Sequence, residues 1–158
     1  MTDGERRYTV AFVCVKNSCR SQIAEAFARM LASDVIGPVS GGTEPGEQVD
    51  PGAVAIMKEF GIDISHARPK TLPREVLSSL DLVVHMGCGE PGGCLTVPGV
   101  PSEDWGIEDP VGGPREKYRE VAMTIESKVR DLAARLRSGS PSRTPADATP
   151  SSFTLGGR

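Results

Sequence analysis

Apolar positions along the chain alternate between two rhythms. Tyr8 to Val15 (YTVAFVCV) is an unbroken apolar run rich in β-branched and aromatic residues, which predicts a strand buried on both faces of a parallel sheet. The run stops at Lys16-Asn17-Ser18. Ile23, Phe27, Met30 and Leu31 then recur three and four apart, predicting a helix from about Arg20 to Ser33. Val35 to Ser40 predicts a second strand, ending in a glycine turn at Gly41-Gly42. A second helix is punctuated at both ends. Asp50 suits its N-cap, Pro51 its first turn and Gly61 the position just past its end, with Val54, Met57 and Phe60 on its apolar face. A shorter helix is expected from Pro73 to about Leu80, and Leu82 to His85 (LVVH) reads as another buried strand. From Pro114 to Arg137 the spacing of Tyr118, Val121, Ala122, Ile125, Val129, Leu132 and Leu136 marks a long amphipathic helix.

Strands alternating with helices imply the α/β class, a parallel sheet covered on both faces. A chain of 158 residues is long enough for one domain with a true core, expected over residues 1–137. Residues 138–158 are mostly Ser, Thr, Pro, Gly and Ala. Such a segment buries too little apolar surface to offset its ordering entropy, so a disordered tail is expected. No repeat is present. The net charge of -3 argues against general affinity for nucleic acid or an anionic membrane. No apolar run reaches the length of a membrane helix and no signal-peptide pattern opens the chain. A cytoplasmic protein is the expectation. In that setting the four cysteines, Cys14, Cys19, Cys88 and Cys94, point to catalysis, redox work or metal binding rather than structural disulfides.

The chemistry concentrates at Cys14-Val15-Lys16-Asn17-Ser18-Cys19-Arg20-Ser21, where the first strand gives way to the first helix. Open α/β sheets bind ligands at the carboxyl ends of their strands. A short loop between a cysteine and the arginine six positions on can curl so that its N–H groups converge on one anion. The positive end of the helix dipole adds to that field. These surroundings favour a thiolate over a thiol. Arg20 would contact two oxygens of the anion at once, a geometry lysine cannot reproduce. Ser21 is placed to hydrogen-bond the sulfur, and Asn17 to shape the loop through side-chain to backbone bonds. The bare spacing is weak, and its plain alternative is a buried cysteine with a surface arginine. The strand-to-helix junction and the flanking Asn17 and Ser21 favour the chemical reading.

Trp105-Gly-Ile-Glu-Asp109-Pro110 carries an acid locked before a proline. The proline holds Asp109 toward extended backbone, an arrangement that can aim its carboxyl group across an anion site. Displacement at an oxyanion needs a proton donor for the departing oxygen, which an aspartic acid supplies. Taken alone the pair is a common turn.

Cys14-x5-Arg20-Ser21 near the start and a late Asp109-Pro110 resemble the low-molecular-weight tyrosine phosphatase superfamily, and Asn17 to Ala26 (NSCRSQIAEA) is closer to its arsenate reductase branch. The resemblance covers about Tyr8 to Leu136. It implies a three-layer α/β/α fold with a four-stranded parallel sheet. It also implies Cys14 as nucleophile, residues Val15 to Ser21 as the oxyanion loop, Arg20 as clamp and Asp109 as general acid. Lys16 stands where the family loop usually has glycine.

Met86-Gly-Cys88-Gly-Glu-Pro-Gly-Gly-Cys94 follows the strand LVVH directly, so both thiols should sit near the strand ends, in a loop able to rearrange. A phosphatase needs no thiols there. The thioredoxin-coupled reductases imply a use for them: Cys14 attacks arsenate, Cys88 attacks Cys14 and releases arsenite, and Cys94 attacks Cys88. The final disulfide is returned to dithiol by thioredoxin or a similar external reductant. Phosphate and sulfate would compete with arsenate. The gap between Cys88 and Cys94 is near, though not identical to, the spacing of thioredoxin-coupled members. A four-thiolate zinc site would want tighter cysteine pairs. Some members bind potassium beside the loop; Asn17, Glu25 and Ser40 match part of that site by position, but Ala67-Arg68-Pro69 after His66 lacks its hydroxyl and acid, so no metal and no tightly bound cofactor is assigned. Two rivals stand beside arsenate reduction. A tyrosine phosphatase would want an aromatic wall, for which Trp105 and Tyr118 are the candidates. An oxyanion or redox sensor would use the same loop without turnover.

Overall fold

The apolar run at the start of the chain becomes the strand on which the rest of the sheet is built. The computed structural model describes residues 7–87 and 95–139. In chain order the elements are β1 (Tyr8–Cys14), α1 (Arg20–Leu31), β2 (Ile36–Gly42), α2 (Pro51–Glu59), α3 (Arg74–Leu77), β3 (Leu82–His85), β4 (Ser102–Asp104) and α4 (Arg115–Arg137). The sheet order is β2-β1-β3-β4, with every pair parallel. The expected parallel α/β/α arrangement is therefore present, with β1 flanked on both sides. The chain leaves β1 toward β2 on one side and later returns as β3 on the other. A crevice at the carboxyl end of β1 follows from that reversal.

Alternation along β1 assigns its side chains to two layers. Tyr8, Val10, Phe12 and Cys14 join Leu82 and Val84 in the large core with α1, α2 and α4. Ala11 and Val13 face the other way, with Val83, Leu80 and the partly buried Leu72, Val76, Leu77 and Val97. The layers are unequal: three helices cover one face, while the four-residue α3 and neighbouring coil cover the other. All seven apolar positions predicted for α4 are buried. Phe27 of α1 meets Phe60, just past α2, edge to face with ring centroids 5.3 Å apart, a geometry that adds to simple area burial.

Asp50 caps α2 by accepting the Ala53 N–H, and Gly61 follows the helix with φ of +82°. Other boundaries moved. Met30 is 58% exposed, so the buried stripe of α1 runs through Ile23, Ala24, Phe27 and Ala28 instead. Gly41 and Gly42 are the last residues of β2, not a turn. The strand β4 (Ser-Glu-Asp) has no apolar pattern to reveal it; its charges suit an exposed sheet edge. Residues 140–158, including Phe153 and Leu155, lie outside the described residues, as do Cys88 and Cys94. Among the described residues no helix is long and apolar enough to cross a membrane.

Candidate active site

Cys14 ends β1 and Arg20 begins α1, so the intervening five residues form a loop at the crevice. The segment after β2 holds this loop from behind. Glu44 N–H donates to Val15 O at 2.8 Å, Gly46 N–H to Lys16 O at 2.9 Å and Asp50 N–H to Ser18 O at 2.8 Å. With the carbonyls turned toward that segment, the loop amides face the opposite way. Asn17 N–H reaches Cys14 Sγ at 3.2 Å. The N–H groups of Lys16, Ser18 and Cys19 have no protein acceptor among the described residues. This is the converging-amide arrangement that binds anions.

Two local features make the curl possible. Asn17 has φ of +54°, in the left-handed region that Asn tolerates better than most residues. At Gly42 a Cβ would lie 2.6 Å from Val15 O and 3.0 Å from Asn17 N, so the loop fits only against a residue without a side chain.

Asn17 is fully buried and acts as the hub of the loop. Its Nδ2 donates to Ser21 Oγ at 2.7 Å and to Ser40 Oγ at 3.1 Å. Its Oδ1 accepts from Gln22 Nε2 at 3.0 Å and from the Lys70 N–H at 3.0 Å. Ser21 Oγ lies 2.9 Å from Cys14 Sγ. The sequence-based reading had Asn17 bonding to backbone; most of its partners prove to be side chains. Two polar contacts therefore face the Cys14 sulfur, Ser21 Oγ and the Asn17 N–H. Cys19 differs. Burial, then the charges of Asp50 and Asp109, push its thiol far above the ordinary range, with Arg20 opposing. Cys19 therefore stays protonated at neutral pH.

Arg20 is 5% exposed and is held from the far side of the crevice. Its Nη1 donates to Ile107 O at 2.9 Å, and its Nη2 lies 3.9 Å from Asp109 Oδ2. The loop bearing Asp109 is fixed in turn by Trp105 N–H donating to His85 O at 2.8 Å. Asp109 Oδ1 accepts the Val111 N–H at 3.1 Å. Cys14, Val15, Lys16, Ser18, Cys19, Arg20, Asp109 and Val111 together line a cleft of about 250 Å³. Lys16 is exposed there. The structure thus brings Cys14, the loop, Arg20 and Asp109 to one cleft, from positions 95 residues apart in sequence (109 minus 14).

The two aromatic candidates are elsewhere. Trp105 packs on Phe12, ring centroids 5.7 Å apart, and donates to Glu103 Oε2. Tyr118 is 7% exposed and donates to Asp50 Oδ2 at 2.6 Å. No aromatic ring lines the cleft among the described residues. His85 is a structural residue, its Nε2 2.9 Å from the Leu95 N of the following segment. A Cβ at Gly87 would lie 3.3 Å from Arg20 Nη1; Cys88, the next residue in sequence, lies outside the described residues. Lys70, Gln22, Gly42 and the Ile107 carbonyl were not predicted from sequence. Lys70, Gly42 and the Ile107 carbonyl contribute through partners far along the chain, a relation no local pattern encodes, while Gln22 acts on Asn17 five residues before it.

Comparison with known proteins agrees with this geometry. Residues 9–141 match the family model "Low molecular weight phosphotyrosine protein phosphatase". A Staphylococcus haemolyticus protein named arsenate reductase 2 is 35% identical over 128 residues, covering 80% of this chain and 97% of its own. A solved arsenate reductase in a phosphate-binding state superposes with a TM-score of 0.68 at 36% identity, covering 82% of this chain and 98% of that one. The thioredoxin-dependent arsenate reductase of Corynebacterium glutamicum superposes with a TM-score of 0.69 at 32% identity, covering 84% of this chain and 63% of that one.

Proposed function

Because this chain belongs to the low-molecular-weight phosphotyrosine protein phosphatase family, we propose that it works the family's cysteine loop as an arsenate reductase, in a catalytic unit ending with α4. The observation that carries the reading is the cleft itself. A buried arginine, a loop of inward amides and a cysteine sulfur surround a space fit for a small tetrahedral oxyanion, and among the described residues no ring lines it to grip an aryl group. Sequence likeness to arsenate reductases over most of the chain supports the same choice.

Arsenate enters as an anion with its oxygens on the loop amides and Arg20. The Cys14 sulfur attacks arsenic, and one oxygen leaves as water with a proton from Asp109. Arsenic is still As(V) at this stage, bonded to sulfur. Cys88 then attacks the Cys14 sulfur; the electron pair of the sulfur–arsenic bond passes to arsenic, which leaves as arsenite. A Cys14–Cys88 disulfide remains. Cys94 attacks Cys88 and frees Cys14 as a thiolate, and thioredoxin or a similar dithiol reduces the Cys88–Cys94 disulfide. Two electrons enter arsenic and two are returned by the external dithiol. The sequence position of Cys88, directly after the β3 strand and Gly87, supports its role as second nucleophile.

The rival reading is a tyrosine phosphatase, in which water cleaves a phosphocysteine. The test is anaerobic incubation with one equivalent of arsenate, followed by mass mapping of bonded cysteines and arsenite assay. The relay requires one arsenite per chain and a Cys88–Cys94 bond, and Cys94→Ser should stop at Cys14–Cys88 and not cycle with thioredoxin. Sustained p-nitrophenyl phosphate turnover with no arsenite released would refute the proposal.

A further inference from the structure

Behind the catalytic loop, a row of buried polar groups runs from the Cys14 sulfur out to the protein surface, and donor chemistry orders it. The Lys70 N–H can only donate, and it meets Asn17 Oδ1 at 3.0 Å. That contact identifies the oxygen end of the Asn17 amide. Its two Nδ2 hydrogens then go to Ser21 Oγ at 2.7 Å and Ser40 Oγ at 3.1 Å. At the outer end the carboxylate of Glu25 can only accept, so the Ser40 hydroxyl donates to Glu25 Oε1. The Ser40 oxygen accepts from Asn17 and also from Lys70 Nζ at 3.3 Å. Ser21 already accepts from Asn17, and the neighbour left for its own hydrogen is Cys14 Sγ at 2.9 Å.

We propose that the Glu25–Lys70 pair, which touches no reacting atom, is a positioning device that keeps this row polarised, so that Ser21 gives its hydrogen to the Cys14 sulfur. The inference rests on the reading of Cys14 as nucleophile, but not on arsenate as substrate. Its geometry is specific. Glu25 is largely buried, and its two oxygens have different duties: Oε2 accepts from Arg29 at 2.9 Å, while Oε1 lies 3.8 Å from Lys70 Nζ and takes the Ser40 hydrogen. Lys70 therefore holds Glu25 inward, against the outward attraction of Arg29. Its backbone is anchored too, since Lys70 O accepts the Gly42 N–H at 2.8 Å. Without the ammonium, the carboxylate is free to turn toward Arg29 and water, and the Ser40 hydroxyl loses its fixed direction. The other groups around the sulfur, Lys16, Cys19, Arg20 and Asp109, lie on the cleft side and are untouched by such a change.

Glu25, Arg29 and Lys70 line a groove of about 610 Å³ beside α1, which shares no lining residue with the catalytic cleft. Small cations can reach the pair there, and this sets the experiment. The rate of Cys14 alkylation by iodoacetamide, read by peptide mass in the full chain, is followed against pH. For Lys70→Ala the rate should fall about fivefold to tenfold near pH 6 and match the native rate near pH 10, where the thiolate forms unaided. Propylammonium, a replacement for the missing side chain, should restore the low-pH rate, while the bulky tetramethylammonium should not. Glu25→Ala should show the same pH-dependent loss without rescue. Equal slowing at both pH values would reduce Lys70 to a packing role, and rescue of Glu25→Ala would put the amine in the anion cleft; either overturns the proposal. Native Cys14 alkylating no faster than Cys19 would sink the nucleophile reading instead, so the two failures are distinguishable.

Discussion

Replacing Asn17 separates two contributions that the native residue combines, one from its side chain and one from its backbone. Asn17→Gly removes four side-chain hydrogen bonds, two from Nδ2 and two to Oδ1. Gln22 and Ser40 keep other partners, but the Lys70 N–H loses the acceptor it has in this structure. A buried donor left unsatisfied costs about 1–3 kcal/mol, and each ordinary bond lost adds about 0.5–1.5 kcal/mol. Relief at φ of +54° offsets part of this, because glycine is indifferent to that region. The expected loss is about 2–6 kcal/mol. Asn17→Ala loses the same bonds and must also hold a Cβ in the left-handed region, for roughly 1–2 kcal/mol more. Against a total stability of about 5–15 kcal/mol these are large fractions.

Urea unfolding measures both variants, and the protein supplies its own probe. Its one tryptophan, Trp105, is 6% exposed and packed on Phe12, so its emission should shift when the sheet opens. The ordering native, then Gly, then Ala is the expected result. If the two variants differ by less than about 0.5 kcal/mol, the left-handed backbone is not what Asn17 is there to support. If both unfold within about 0.5 kcal/mol of the native protein, the hub holds nothing that water cannot replace.

Other changes probe the site from different sides. Gly42→Ala puts a Cβ 2.6 Å from Val15 O, which the loop can relieve only by moving. Stability should fall by about 1–3 kcal/mol and turnover by about a hundredfold through misplaced amides; unchanged turnover would mean the loop tolerates the shift. Asp109→Asn should cut arsenate turnover by about 10²–10⁴ without slowing Cys14 alkylation, and equal loss of both would place Asp109 in loop support rather than proton transfer. At the surface, hydrogen bonding from Arg137 holds the Asp34 carboxyl below the usual aspartate range. A depressed carboxylate stabilises the fold above its unfolded value of about 3.9, and this contribution disappears as pH falls through the lower folded value. Asp34→Asn should therefore cost no more than about 0.5 kcal/mol near pH 7, the pair being solvent-screened, and nothing near pH 2. A urea midpoint difference that persists in acid would contradict the assignment.

Local periodicity made most of the elements legible. The run from Tyr8, the LVVH strand and the stripe of α4 each carry their fold in spacing alone, because burial on one face requires a matching repeat. The Asp50 cap and Gly61 stop were readable for the same reason: a helix end has local chemical needs. The site was legible where it is local. Cys14 through Ser21 is one loop between one strand and one helix, and its residues are contiguous. The strand β4 was not, since Ser-Glu-Asp pairs with β3 by position at the sheet edge and not by hydrophobic demand.

By itself, then, the sequence determined the α/β class, the strand-loop-helix unit that carries Cys14, and the residue types available for chemistry. Tertiary structure alone decided which of them meet. It turned Trp105 and Tyr118 inward, away from the cleft, and brought the Ile107 carbonyl to Arg20 and the Lys70 N–H to Asn17. The physical reason is that dihedral preferences and periodicity act over a few residues, whereas a hydrogen bond between distant segments exists only after the layers have packed and left each buried donor one acceptor to find.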